Sequence, residues 1–349
     1  MRAAALKELI RASFRLGSGE NELGSIFVVG PPGVGKSEVI SQVAEEEEAG
    51  FVDCRLTLYD PTDLRGIPFP DVEAGVAKWL APNALPFVGN DTLPDKGILL
   101  FDDMTTAPQL VQATAYQLII RPHQLGDAHL KPGWVIVAAG NRIGDKALVH
   151  PMPKPLANRF MHVELDVNVK DWSEWATKAA VNPLVIGYLI SPAADTADGH
   201  SLFQFSPNKE EKAFPTPRSW AAAGRLLSIG LPEALEFEAL NGTIGKAASA
   251  QFSAFRRLFE KLPDPNEILV KKNFSVTDKL AIDLRYAMVV SIAQRATTKQ
   301  YDTAIKWATT LDPEFGVLLI KILGGRDKSA VIQSTSFMNW AVNNKDVLL

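Results

Sequence analysis

The segment GPPGVGKS occupies residues 30–37, between an apolar run at 25–29 (SIFVV) and a helix-forming segment that begins at about Lys36. It matches the spacing G-x-x-x-x-G-K-[ST]. Glycines let a backbone turn so that its N–H groups point inward, and a helix that begins at the lysine adds the positive end of its dipole. The segment therefore predicts a phosphate-binding loop, with a glycine-rich turn that binds nothing as the alternative. The predicted contacts are Gly30, Pro31, Pro32, Gly33, Val34, Gly35, Lys36, Ser37 and Glu38.

Short apolar runs alternate with helical segments from about residue 25 to residue 165. Runs this short and this apolar suit a parallel sheet that is covered on both faces, and strands that alternate with helices imply an α/β fold. We therefore predict an α/β fold of the P-loop type, in which a parallel sheet is flanked by helices. The strand candidates are SIFVV (25–29), FVDCRLTL (51–58), ILLFD (98–102), WVIVAA (134–139) and MHVEL (161–165).

Strand signals stop after about residue 166, and the following segments have helical patterns. A break that contains proline and aspartate, LPDPNE (262–267), separates the last helical portion. The predicted organisation is a nucleotide-binding α/β domain, a helical lid and a helical C-terminal extension. These domains cover residues 1–165, with an insert at about 59–96, residues 166–262 and residues 263–349.

Bulk composition excludes several classes of protein. The chain has 349 residues and a formal net charge of −4, so no overall basic field indicates nucleic acid as a partner. No apolar run approaches the roughly 20 residues that span a bilayer. The single cysteine, Cys54, excludes an internal disulfide and fits a reducing compartment, which predicts a cytoplasmic protein. The amphipathic first 16 residues resemble a transit peptide in part, but Glu8 and the lack of a serine-rich stretch favour a packed helix.

Two adjacent carboxylates end the strand candidate at 98–102, in GILLFDDM (97–104). A nucleotide site with this loop needs a carboxylate on a neighbouring strand to hold Mg²⁺ together with Ser37, and Asp102 is placed for that role. Asp103 is then the candidate that orients or deprotonates the attacking water. The alternatives are an ordinary aspartate at a strand end for Asp102 and a helix N-cap for Asp103.

Together, GPPGVGKS and LLFDDM resemble the corresponding motifs of AAA+ ATPases, and the opening of the insert, DPTDLRGIP, resembles the MoxR-like branch of that family. The resemblance implies catalytic roles for three further residues. Asn141, in WVIVAAGN, would be the sensor that positions the water. Arg159, in PLANRFMHVEL, would reach the nucleotide of a neighbouring subunit. Arg218, in FPTPRSW, would contact the γ-phosphate from the lid.

Other interpretations of these polar residues stay open. Asn141 also fits a turn, and both Arg159 and Arg218 also fit surface salt bridges. Arg142 is a second arginine that we place near the same edge as Arg159, as an additional contact to a neighbouring subunit. The family usually has Asp-Glu where this chain has two aspartates, so Asp103 is a departure from its pattern.

The insert and a second short hairpin, predicted at 121–133 with Gly126 and Asp127 at its tip, resemble loops that contact clients in this branch. Phe69 and Trp79 are the candidate client contacts, although aromatic residues are more often packed.

The resemblance implies a MoxR-like ATPase that uses ATP and Mg²⁺ in a ring, expected to be a hexamer. Such a ring would remodel, mature or assemble a protein client, with a von Willebrand factor A-type protein as a possible partner. Two alternatives remain. One is a motor or loader that acts on nucleic acid, and the other is a nucleotide-gated scaffold with slow or no hydrolysis, which the shorter side chain of Asp103 keeps open.

Overall fold

The computed structural model describes residues 1–17, 23–145, 149–197, 199–208, 210–259 and 262–344. These residues fall into two units, which are described separately. Met1–Val167 and Ser206–Asn208 form the first unit. Asn168–Phe205 and the described residues from 210 onward form the second.

The first unit alternates helices and strands. Its elements in chain order are α1 (Ala3–Leu16), β1 (Ser25–Val29), α2 (Lys36–Glu46), β2 (Gly50–Arg55), α3 (Pro61–Arg65), β3 (Ile67–Asp71), β4 (Val76–Leu80), β5 (Lys96–Asp102), α4 (Gln109–Ile119), β6 (Gln124–Leu125), β7 (Ala128–His129), β8 (Gly133–Gly140), α5 (Lys154–Ala157) and β9 (Phe160–Glu164).

Five of these strands form a parallel sheet in the order β2-β5-β8-β1-β9. The central strands β5 and β8 are buried along nearly their whole length, which explains their continuous apolar sequences. The predicted α/β class, a parallel sheet flanked by helices, is confirmed. Because all five strands run in one direction, the ends of β1, β5 and β8 lie side by side at one edge of the sheet, which we call the carboxyl edge.

One predicted strand is shorter than expected. Strand β2 ends at Arg55, and Leu56–Leu58 form a 3₁₀ turn instead of continuing the strand. Leu56 is fully buried, whereas Leu58 is 77% exposed, so only one of these leucines contributes to the core. The predicted packed helix at the start of the chain is α1, which buries Leu6 and Ile10.

The second unit is almost entirely helical. Its elements are α6 (Val169–Lys178), α7 (Pro183–Ile190), β10 (Asp195–Thr196), β11 (Gly199–His200), α8 (Pro217–Leu227), α9 (Glu233–Ile244), α10 (Lys246–Phe259), α11 (Asn266–Leu269), α12 (Ile282–Arg295), α13 (Tyr301–Ala308), α14 (Pro313–Arg326), α15 (Lys328–Ile332) and α16 (Thr335–Asn343).

Helices on both sides of the predicted break at 262–267 pack together in this unit, since α7 and α10 contact α12. The division into a lid and an extension therefore stays a prediction. Two apolar clusters fill the unit. One is aromatic and centres on Tyr188 and Trp220, and the other surrounds Trp307 and Phe315. No described helix combines the length and the apolar character needed to cross a bilayer.

Candidate nucleotide site at the carboxyl edge of the sheet

The predicted phosphate-binding loop connects β1 to α2, which begins at Lys36 as expected. Gly33 has a φ of +80° and Gly35 a φ of +97°, and both angles lie in the left-handed region that L side chains rarely adopt. A Cβ atom added to Gly35 would meet nothing within 4 Å. Backbone conformation, and not lack of space, therefore demands a glycine at this position.

The Lys36 ammonium group lies inside this loop. Its Nζ donates hydrogen bonds to the carbonyl oxygens of Gly30 at 2.8 Å and Pro31 at 3.1 Å. It also donates to Oδ1 of Asn141 at 3.0 Å. The fold thus brings together a lysine and an asparagine that the sequence predicts as site residues from two separate motifs. Phosphate oxygens are stronger acceptors for an ammonium group than neutral carbonyls, so an anion would compete for these hydrogen bonds.

Ser37 and Asp102 form the second contact of the site. The hydroxyl of Ser37 donates a hydrogen bond of 2.6 Å to Oδ2 of Asp102, which is buried at the end of β5. The other oxygen of Asp102 accepts the backbone N–H of Asp103 at 2.9 Å. A hydroxyl and a carboxylate at this distance fit Mg²⁺, which binds few protein oxygens and completes its octahedron with water and phosphate oxygens.

Asp103 follows in an unusual backbone conformation. Its φ is +53°, in the left-handed region where aspartate and asparagine are several-fold enriched over other residues that have side chains. Asp103 does not cap the next helix, because α4 begins at Gln109. The left-handed turn gives a physical reason for an aspartate here, since the longer glutamate gains no local hydrogen bond that offsets this strain.

Asp53 is a residue that the sequence reasoning missed. It lies on β2, next to β5, and burial together with the nearby negative charge of Asp102 raises the pKa of its carboxyl group. The guanidinium group of Arg55 lies 3.5 Å from the carboxylate of Asp53 and acts to lower the pKa of that carboxyl group. No motif marks Asp53, because its importance depends on which strand lies next to β5. The extra carboxylate increases the preference of this edge for a cation.

Arg142 directly follows Asn141, and its guanidinium group is engaged within the chain. It binds both carboxylate oxygens of Asp145, with the closest contact at 2.9 Å, and Oε1 of Glu164 at 2.9 Å. The hydrogen bonds that the guanidinium group donates to Asp145 are the largest cause that raises the pKa of Arg142. These contacts weaken the idea that Arg142 serves a neighbouring subunit.

Arg159 lies elsewhere than the sequence analysis placed it. It immediately precedes β9, whose first residue is opposite the first residue of β1. Arg159 is therefore at the amino edge of the sheet, and Arg142 is at the carboxyl edge, so the expectation of a shared edge was wrong. Arg159 is exposed, and its side chain forms no hydrogen bond or ion pair with any residue in the described part of the chain.

Arg218 belongs to the second unit. It is the second residue of α8, which starts as predicted with Thr216 as N-cap and Pro217 as its first residue. The hydroxyl of Thr216 accepts the backbone N–H of Ser219 at 3.0 Å. Arg218 is exposed at the positive end of this helix, where a cation is electrostatically unfavourable unless an anion binds.

Two antiparallel hairpins occupy the predicted client-contacting segments. β3 pairs with β4, and β6 pairs with β7 around Gly126, which has a φ of +60°. Trp79 of β4 lies between them. The Arg65 guanidinium group is 4.1 Å from the centroid of the Trp79 ring. The backbone N–H of Trp79 donates a hydrogen bond to the carboxylate of Asp127 at 3.3 Å. Phe69 is 58% exposed. In the hairpin formed by β3 and β4, Phe69 is therefore exposed, whereas Trp79 contacts other residues of the same unit.

Comparison with known proteins yields only distant similarities. No family model and no curated protein matches the chain. Among solved structures, a candidate ATPase from Cytophaga hutchinsonii covers 97% of this chain and 87% of its own, with 12% identity and a TM-score of 0.35. The RuvB Holliday junction branch migration motor of Thermotoga maritima covers 77% of this chain and 76% of its own, with 17% identity and a TM-score of 0.40. These scores are too low to support an assignment, which therefore depends on the chain's own residues.

Proposed function

We propose that the chain is a MoxR-like AAA+ ATPase that binds and hydrolyses ATP with Mg²⁺ as a ring, expected to be a hexamer, and remodels, matures or assembles a protein client. One observation carries the proposal. Two hydrogen bonds connect the ends of three neighbouring strands, directly beside a glycine loop of the phosphate-binding type. One joins Lys36 to Asn141, and the other joins Ser37 to Asp102.

Each residue of the site has a role in this scheme. The loop N–H groups and Lys36 hold the phosphates, with Lys36 exchanging its carbonyl acceptors for phosphate oxygens. Ser37 and Asp102 would hold Mg²⁺, which would supply neutralisation of the phosphate charge. Asp103 accepts a proton from the attacking water, and Asn141 orients that water and the γ-phosphate. Arg159 of a neighbouring subunit and Arg218 of the lid stabilise the negative charge of the transition state.

The same proposal assigns the client to the two hairpins. Ile67, Phe69, Val76 and Leu80 are exposed large apolar side chains of β3 and β4, and such a group of residues suits contact with another protein. A von Willebrand factor A-type protein is the partner that we propose to examine first. The cytoplasm is the proposed location, since the single cysteine, Cys54, fits a reducing compartment.

Nucleotide binding and hydrolysis by purified full-length chains test the proposal. We expect the wild type to bind ATP and to hydrolyse it in the presence of Mg²⁺. Lys36→Ala should lose both activities. Asp103→Asn should keep ATP binding but lower kcat by about a hundredfold or more, because the general base is removed. If the wild type binds ATP no better than Lys36→Ala, the assignment is wrong.

The nucleotide-gated scaffold remains a second candidate, and the geometry of Asp103 favours it. The Asp103 side chain is one methylene group shorter than the family's usual glutamate, and it starts from a left-handed backbone position. This candidate predicts that ATP drives ring assembly, as measured by light scattering, although the rate of hydrolysis equals that of Lys36→Ala. Faster hydrolysis in the wild type under ring-forming conditions would eliminate the scaffold.

A further inference from the structure

Thr105 lies two residues after Asp103 and is buried where the loop after β5 contacts the end of β8. Its hydroxyl oxygen accepts the backbone N–H of Asn141 at 3.1 Å. The same hydroxyl group lies 3.3 Å from the carbonyl oxygen of Asn141 and donates to it. One side chain thus fixes both backbone polar groups of the residue whose amide contacts Lys36.

The contact between Thr105 and the end of β8 is close. A Cβ atom on Gly140 would lie 2.7 Å from the hydroxyl oxygen of Thr105 and 3.0 Å from its methyl carbon. Two backbone hydrogen bonds surround this contact, from Met104 to Ala139 at 2.9 Å and from His150 to Thr105 at 2.7 Å. The Thr105 hydroxyl is therefore held in one place and does not rotate freely.

The neighbouring Thr106 provides a natural contrast. Its hydroxyl oxygen is buried too, but it has no hydrogen-bond partner among the described residues. Two adjacent threonines in the same turn thus differ in whether the hydroxyl group contacts Asn141. A general need for a polar side chain in this turn does not explain that difference.

We propose that Thr105 is a positioning residue, which holds Asn141 so that its amide group meets the γ-phosphate of ATP. This inference rests on the proposed nucleotide site. Thr105 would link the Asp103 turn to the Asn141 strand end, so that the acid and the amide keep a constant spacing on either side of the γ-phosphate. It would not contact the nucleotide itself.

The role predicts a specific pattern of nucleotide affinities. ADP lacks the γ-phosphate, so its dissociation constant should not depend on where Asn141 points. ATP binding and the chemical step should both depend on it, since a displacement of about 1 Å in a catalytic group can reduce a rate roughly a hundredfold. Loss of Thr105 hydrogen bonds should therefore reduce the preference for ATP over ADP and lower kcat.

The experiment compares Thr105→Val, Thr105→Ser and Thr106→Val with the wild type in the full chain. Valine has nearly the shape of threonine but lacks the hydroxyl group, whereas serine retains it. Dissociation constants for ATP and ADP are measured by competition with a fluorescent nucleotide, and kcat and KM by phosphate release. Thr105→Val should lower kcat by about ten- to a hundredfold and the ATP preference severalfold. Its ADP affinity should stay within about twofold of the wild type.

The two other variants decide the interpretation. Thr105→Ser should remain within about threefold of the wild type, and Thr106→Val should match it, since the Thr106 hydroxyl makes no hydrogen bond that valine would remove. The inference is wrong if Thr105→Val behaves like the wild type, if Thr106→Val is equally impaired, or if Thr105→Val loses ADP affinity in proportion.

Failure of the proposed function would look different from failure of this inference. A wild type that binds no nucleotide overturns both. If the wild type binds ATP but does not hydrolyse it, the ratio of ATP to ADP affinity is the remaining test of the positioning role. An unchanged ratio in Thr105→Val then contradicts the positioning role while leaving nucleotide binding established.

Discussion

Arg142 and Arg159 lie at opposite edges of the same sheet, and they differ in whether carboxylates bind their guanidinium groups. Arg142 follows β8 at the carboxyl edge and is held by a buried aspartate and an exposed glutamate. Arg159 precedes β9 at the amino edge, is exposed and has no ion pair within the described residues. In the sequence, both are simply arginines close to a predicted strand.

This contrast shows how position in the sheet limits what each arginine can do. β9 has five residues and spans roughly 15 Å, so the backbone of Arg159 is that far from the edge where the phosphate-binding loop lies. A nucleotide role for Arg159 therefore requires another subunit. Arg142 is close to its own loop, but two carboxylates already occupy its guanidinium group. We interpret Arg142 as a structural anchor in cis and Arg159 as a candidate finger in trans.

The largest expected effect comes from Arg159→Ala. We expect kcat to fall by about a thousandfold, as for other arginine fingers, since the positive charge near the γ-phosphate is lost in the transition state. The ATP affinity and the free energy of unfolding should hardly change, because the side chain is exposed and has no ion pair among the described residues. Phosphate release, nucleotide titration and urea unfolding measure these three quantities. An unchanged kcat would remove Arg159 from the mechanism.

Mixing two inactive variants separates a role in trans from a role in cis. Arg159→Ala subunits keep an intact nucleotide site, whereas Lys36→Ala subunits keep the arginine. If the finger acts between subunits, mixed rings should recover a measurable fraction of the wild-type rate. Mixtures that stay as inactive as their components, despite verified co-assembly, would contradict the assignment.

Arg142→Ala should show the reverse pattern, with a smaller effect on rate and a larger effect on stability. The side chain of Asp145 is only 3% exposed, and loss of the Arg142 guanidinium group leaves this buried carboxylate with the backbone N–H of the same residue as its hydrogen-bond donor among the described residues. We expect the free energy of unfolding to fall by about 2 kcal/mol and kcat by less than about tenfold. Urea unfolding of Arg142→Ala and of the double variant Arg142→Ala/Asp145→Asn measures this, and the double variant should recover part of the loss. A stable Arg142→Ala chain that fails to hydrolyse ATP would mean that Arg142 belongs to the catalytic machinery.

Much of the sheet was predictable because its inner strands β1, β5 and β8 are buried along nearly their whole length and are continuous apolar runs. These three strands and β9 differ from the predicted strands by no more than two residues at either end. The second strand was overextended, because the chain leaves the sheet after Arg55 in a 3₁₀ turn, Leu56–Leu58, in which only Leu56 is buried. The start of α8 at Pro217 was predictable from Thr216 as its N-cap and from the proline itself.

The contacts of the candidate site were only partly predictable. The spacing of glycine and lysine in the loop, and an aspartate at the end of an apolar strand, are local signals of a nucleotide site. Lys36 and Asp102 could therefore be predicted from the sequence. The roles of Asp53 and Thr105 and the contact of Arg142 with Glu164 depend on the strand order β2-β5-β8-β1-β9, which apolar periodicity does not encode. The left-handed backbone at Asp103 likewise results from the turn after β5 and has no signal in residue type beyond the aspartate itself.

The smallest expected effect belongs to Glu164→Gln, and it tests which carboxylate holds Arg142. The side chain of Glu164 is 56% exposed, and exposed ion pairs contribute little because water and salt screen them. We expect the free energy of unfolding to change by no more than about 0.5 kcal/mol, and kcat to stay within about twofold. Urea unfolding at low and at high salt provides the measurement, and the small difference should shrink as salt rises. A loss as large as that of Arg142→Ala would show that Arg142 is anchored through Glu164, which would make the link between the ends of β8 and β9 the main source of its stability.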